Sequence, residues 1–286
     1  MDLARHGTMA LWLGLGVVLA HVRGLNAADL KCQISYPPEN AIVRGDVPIF
    51  GLADAPRFKH YRVEYGPGTK PDKWTLVTLS RTPQPEDPYT AGKVRWDPNK
   101  GAKGNLVTWP TGMTEYLYGA KYDVNLNGVY TVRLVVEDEG GKSEEHRVTL
   151  VVGRAVTLQT GGRPVSPDNR VQLTIPPWGS PAGFQPMAIL PSTEVKPGPG
   201  LIPVGSIYEF RPPHLRFAKP ATLTMAYTDA ELKGTPLEKV GIYEFQPVEE
   251  AWKREAARKP SVAPTDVVVP PPATATPVDP RSAKRA

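Results

Sequence analysis

Residues 129–138, VYTVRLVVED, place Tyr130, Val132, Leu134 and Val136 at every second position, and HRVTLVVG, 146–153, repeats the device with His146, Val148, Leu150 and Val152. Successive side chains of an extended chain point to opposite sides, so period two marks a strand whose faces meet different surroundings. YRVEY, 61–65, agrees: Tyr61, Val63 and Tyr65 share a face, with Arg62 and Glu64 opposite. No window of comparable length shows a capped helical stripe. From Cys32 to Gly153 such runs recur between turn signals, the spacing expected of an all-β sandwich.

The stretch VEYGPGTKPDKW, 63–74, interrupts this pattern with two glycines, two prolines and a tryptophan. Its glycines are not followed by the helix N-terminus that lets a glycine-rich loop hold phosphate. It reads as a hairpin, with Gly66 and Gly68 giving the turn its freedom, Pro67 and Pro71 stiffening it, and Trp74 capping the edge of the core.

From Arg154 to Trp252 a second set of runs appears, RVQLTIPP, MAILP, SIYEF, ATLTMAY and VGIYEF. Prolines cluster between these runs, as strands that must pair require. Only DAELKG, 229–234, fits a single helical turn. Beyond Trp252 the chain is rich in Pro, Ala and Thr and lacks the apolar content that offsets chain ordering. DVVV, 266–269, is the one piece there suited to docking as a strand. The expectation is an all-β chain of two tandem β-sandwich domains, 28–153 and 154–252, followed by a disordered Pro/Ala-rich basic tail, 253–286.

At the N-terminus, Arg5 and His6 precede the apolar run MALWLGLGVVLA, and GLNAAD offers a small-residue cut after Ala27. The run is shorter than the roughly 20 residues of a membrane span, so residues 1–27 read as a secretory signal peptide. No transmembrane segment is expected, and the mature chain is placed outside the cytoplasm: secreted, periplasmic or on the cell surface. Cys32 is the only cysteine, which leaves no internal disulfide and one thiol able to pair with another chain. The net charge of +5 is unevenly spread: the last 36 residues carry seven basic and three acidic side chains, and residues 28–250 balance. A neutral body argues against a nucleic-acid groove. The tail's two small clusters, KREAARK and RSAKR, could touch an anionic cell-surface polymer or simply keep the tail soluble.

ISYPPENAIVRGDVPIFGLADAPRFKHYRVEYGPGTKPDKW, then VRWDP, then LNGVYTVRLVVEDEGG, together resemble the Ig/fibronectin-III-like modules of bacterial extracellular proteins. The resemblance covers most of residues 33–152 and departs between Asp97 and Asn125, where this chain inserts extra residues. VSPDNRVQLTIPPWG, SIYEFRPPHLRFAKPATLTMAYTD and VGIYEFQPVEEAW resemble a ZU5-type β-sandwich. Some ZU5 domains cut their own chain at His-Phe-Ser or His-Phe-Pro. His214-Leu215-Arg216-Phe217 lacks that nucleophile, so self-cleavage is not implied. The family's closing strands are missing or degraded, which implies an open sheet edge able to accept a strand.

Candidate sites are few. DVNLNG, 123–128, fits the first half of a calcium loop, but the twelfth position, which should be a bidentate Glu, is Leu134. The insert carries Trp109, Tyr116, Tyr118 and Tyr122, which would either close the open end of the sandwich or, if exposed, bind a protein partner or a glycan. His60, His146 and His214 have no Ser, Cys or carboxylate in catalytic spacing, and His146 falls in register with core positions. A cut after Ala20 would leave His21 first, and with His60 or His146 it could bind copper as in oxidative polysaccharide-cleaving enzymes on Ig-like sandwiches. The residues after His21 do not resemble that family. The reading is therefore a non-enzyme without cofactor, an adhesion, scaffold or assembly module of a bacterial surface that contacts a protein partner or cell-surface polymer. An aromatic carbohydrate-binding module is the alternative, and Cys32 or an open edge would serve oligomerisation.

Overall fold

In a computed structural model, residues 30–97, 101–112, 125–246 and 251–254 are described. The expected signal segment, DVVV and nearly all of the tail lie outside them. The chain is all-β, mostly strand with almost no helix. Among the described residues no helix is long and apolar enough to cross a membrane. They fall into two compact units, one within Met1–Pro191 and Tyr208–Ala226, the other within Ser192–Ile207 and Tyr227–Ala286.

The first unit opens with β1 (Lys31–Tyr36), β2 (Ile42–Val43), β3 (Asp46–Asp54), β4 (Phe58–Pro67) and β5 (Thr75–Ser80). A hairpin of β6 (Arg95–Asp97) and β7 (Gly101–Lys103) precedes β8 (Val107–Pro110), and two long strands follow, β9 (Gly128–Asp138) and β10 (Ser143–Val152). Strands β1, β3 and β8 make one antiparallel sheet. Strands β5, β4, β9 and β10 pair antiparallel in that order, and β2 joins β10 in parallel.

Alternation decides what these sheets share. Val63 from β4, Val132, Leu134 and Val136 from β9, and Val148, Leu150 and Val152 from β10 turn inward. They meet Ile34, Val47, Ile49 and Trp109 of the other sheet in a cluster of 17 buried residues. His146, half-buried in register with them, accepts a hydrogen bond at Nδ1 from the Ile34 N–H at 3.3 Å and so ties the sheets together.

The hairpin expected at 63–74 joins β4 to β5. Gly66 is required by close approach, since a Cβ there would lie 2.4 Å from Pro71 Cβ and 2.5 Å from the Lys73 carbonyl oxygen. Its turn is fastened to β9, where the Thr131 hydroxyl donates to the Gly68 carbonyl at 2.7 Å. Trp74, however, does not cap the core. It stands on the outer face with the Arg133 guanidinium 4.0 Å from its ring centre, because Arg133 alternates with Val132 and Leu134 and points away from them.

The same unit continues with β11 (Arg154–Thr157), β12 (Val171–Thr174), β13 (Phe184–Ser192), β14 (Ile207–Arg211) and β15 (Thr222–Met225). Strands β11, β13 and β14 form one sheet and β12 pairs with β15. They enclose a smaller cluster of six buried residues, Val156, Val171, Leu173, Ile175, Met187 and Ile189, flanked by half-buried side chains such as Tyr208 and Phe210. Ala188 and Leu190 of β13 face the other way and pack on Val151 of β10 with Ile42 and Val129, covering that end of the long sheet's outer face.

In the second unit, the helical turn expected near residue 229 is present as α1 (Asp229–Leu232), closed by a capping box between Thr228 and Glu231. A hairpin of β16 (Tyr243–Gln246) and β17 (Ala251–Arg254) follows.

Candidate functional site

The aromatics singled out in the sequence part company. Trp109 is 1% exposed. It lies on β8, which pairs with β3 through Val47↔Trp109, so part of the apparent insert is a core strand and its alternation turns the indole inward. The ring packs 5.2 Å from Tyr65 and 6.3 Å from Tyr130, with Nε1 buried and without a hydrogen-bond partner. Tyr116, Tyr118 and Tyr122 lie outside the described residues, as does Asp123 of the calcium-like loop. Of that loop, Asn125 accepts from two arginines, Asn127 donates to the Val165 carbonyl at 2.9 Å, and Leu134 is fully buried. His60 sits 3.7 Å from the Glu137 carboxylate. Among the described residues no three His, Cys, Asp or Glu side chains group as metal ligands.

Cys32, on β1, is half-buried, with Sγ 3.4 Å from the Glu144 carbonyl and 3.5 Å from that of Leu134. Burial pushes its thiol up to about 11. A thiol so placed is a poor partner for disulfide exchange at neutral pH, because the thiolate is the attacking species.

What the fold does assemble is a surface on the uncovered half of the five-stranded sheet. A bulge in β5 between its pairs Val63↔Thr78 and Glu64↔Leu76 leaves Val77 as the extra residue, so Leu76 and Leu79 emerge on the same outer face. They are 54% and 47% exposed on a strand without a charged residue. Beside them runs a ladder of charges. Glu64 accepts from Arg62 Nε at 3.3 Å and Arg133 Nε at 2.7 Å, and Glu145 bridges Arg133 and Arg147 at 3.5 and 2.6 Å. Trp74 lies within this ladder, with the Arg147 guanidinium 5.3 Å from its ring centre. The planar guanidinium groups are held by carboxylates and an aromatic face at once, which fixes their orientation.

Compared with known proteins, the chain matches no family model, no curated protein and no solved structure.

Sequence reasoning overlooked an exposed aromatic, Trp178. It is 55% exposed at φ 62°, a left-handed conformation that an indole-bearing residue seldom takes. Its N–H donates to the Leu158 carbonyl at 2.6 Å, and Leu158 in turn donates to that of Gly183, next to the exposed Phe184. The turn residues of IPPWG hinted at a bend, but nothing in the string told which way the indole would face.

Proposed function

We propose that the protein is a secreted, non-enzymatic scaffold or adhesion component of a bacterial surface that works through contacts with a protein partner. In this reading residues 28–153 form an Ig/fibronectin-III-like β-sandwich and 154–252 a ZU5-like one. One observation carries the binding role: half of the long sheet's outer face is covered by β13, while the open half presents Leu76 and Leu79 beside Trp74 and the Arg133–Glu64–Arg62 ladder. Exposed leucines next to oriented tryptophan and arginine side chains have the composition of a protein interface, where apolar anchors and arginines dominate the energy. The uncharged strand β5, at the edge of its sheet among the described residues, offers its outer backbone groups to an extended segment of the partner.

The test is site-specific photocrosslinking in the intact producing cell, with a crosslinking residue at position 79 and, as control, at position 159. The expected result is one protein species captured from position 79, absent from the control and lost when Leu76→Asp is added. Equal capture from both positions, or capture that survives Leu76→Asp, would overturn the reading.

A further inference from the structure

Arg44 and, more than a hundred residues later, Arg154 and Arg163 line one cleft of the first unit. Its volume is about 470 Å³, and its remaining walls include Ala155, Thr160, Gly162 and the run Thr174–Pro177. Such a cleft has room for an anionic group together with the residue that bears it.

Arg44 is set in place before any ligand arrives. Its Nη1 donates to the carbonyls of Leu126 at 2.9 Å and Thr111 at 3.3 Å, and its Nη2 donates to Asn125 Oδ1 at 2.9 Å. Gly112, at φ 133°, makes the space: a Cβ there would lie 2.8 Å from Arg44 Nη2. The same Asn125 oxygen accepts from Arg154 Nη1 at 2.6 Å, so one neutral amide oxygen holds two cations together.

Arg154 is the telling member. A guanidinium has five N–H bonds to offer. Among the described residues Arg154 makes no ion pair, its one hydrogen bond goes to Asn125, and its Nε is buried without a partner. Arg163, exposed on the rim, makes no ion pair or side-chain hydrogen bond among the described residues either. Burial and the neighbouring charge of Arg154 push Arg44 down to about 10, and burial lowers Arg154. Two half-buried guanidinium groups drawn to one amide oxygen repel each other, and an anion in the cleft relieves that repulsion and takes up donors of Arg154 and Arg163.

We propose that this cleft is a binding site for a tetrahedral oxyanion, a phosphate or sulfate group, chelated by Arg154 and Arg163 with Arg44 as the fixed wall. Guanidinium forks match such oxygens in pairs, which a row of solvated lysines cannot do. The site is separate from the open sheet face, and neither proposal depends on the other.

The test is calorimetric titration of the full chain with sodium phosphate, sodium sulfate and sodium acetate, each balanced with sodium chloride to constant ionic strength. Phosphate or sulfate should bind saturably with one site per chain, and acetate at least about tenfold more weakly. Arg154→Gln should weaken binding about tenfold, the loss of one charge-assisted hydrogen bond. Arg163→Gln, at an exposed position that cannot disturb folding, should weaken it about threefold. Phosphate binding over sulfate would assign the site to phosphate, and the reverse to sulfate. No binding beyond that of chloride, equal affinity for acetate, or wild-type affinity in both variants would overturn the proposal.

Discussion

The first unit holds two cores of unequal size. Around Val63, Leu134 and Trp109, long strands from two sheets bury 17 residues in one cluster, whereas around Val156 and Ile189 strands of four to nine residues bury six and rely on half-buried neighbours. The difference follows from strand length. Long antiparallel strands supply four or five inward positions each, enough to exclude water, while a four-residue strand supplies two. Exposed apolar side chains border both cores: Leu76 and Leu79 stand outside the larger core, and Trp178 and Phe184 stand on the smaller assembly, whose Ile175 and Ala155 line the arginine cleft.

The most forceful way to break this comparison is to empty each core in turn. Trp109→Ala should cost about 3–5 kcal/mol in urea unfolding, the upper range for removing a buried aromatic. Met187→Ala, although Met187 is 2% exposed, should cost about 2 kcal/mol because its half-buried surroundings can collapse into the gap. Trp109→Phe should cost less than volume alone predicts, since it also removes an indole N–H that has no partner. Equal costs for Trp109→Ala and Met187→Ala would erase the distinction between the cores.

A chemical probe sharpens it at the rim of the larger core. Cys32 packs against that cluster and its thiol stands at about 11 rather than 9.0, so near pH 8 its thiolate fraction is about a hundredfold below that of a free thiol. The more basic thiolate is intrinsically more nucleophilic, which returns about tenfold. Alkylation by iodoacetamide should therefore run about tenfold slower in the folded chain than in urea. Equal rates would show that the rim is open and would restore Cys32 as a route to linked dimers.

Much of the larger core was legible because its strands alternate. Tyr61, Val63, Val132, Leu134, Val148 and Leu150 could be read inward from the string, and the structure buries each of them. Trp109 could not be, because VTWP has too few residues to show a period and stands in a segment rich in Gly and Pro; only its pairing with Val47 decides its side. Trp74 was misplaced for a related reason: it precedes β5, whose bulge resets the parity that a regular hairpin would have kept. The arginine cleft left no trace, since Arg44 and Arg154 are brought to one oxygen by the fold across more than a hundred residues.

On the outer face of the larger core, the ion pairs test how much the sheet lends to its surface. Arg133 and Glu64 meet at 2.7 Å with side chains 18% and 13% exposed, against 67% and 74% for Lys93 and Glu86 at 3.1 Å. A double-mutant cycle should give a coupling of about 1 kcal/mol for the first pair and near zero for the second, since exposed pairs are screened by solvent. Comparable values would mean that the ladder beside Leu76 is not held rigid, and the pre-orientation of its arginines would fall with it.

The smallest effect belongs to the smaller assembly, at Asp168. Burial alone would raise its pKa, but hydrogen bonds from Ser166 Oγ at 2.5 Å, from the Tyr208 hydroxyl at 2.7 Å and from the Arg170 N–H at 3.2 Å outweigh it and hold the carboxyl below its usual range. A carboxyl depressed on folding binds its proton more readily when unfolded. Its stabilisation is complete above the unfolded pKa of 3.8 and is lost as pH falls through the lower folded value. Asp168→Asn should therefore flatten the acid limb of the melting curve below about pH 4, and change the melting temperature at neutral pH by only a few degrees. Because Tyr208 borders the small core, a variant whose acid limb stays as steep as the wild type would place the acid sensitivity elsewhere.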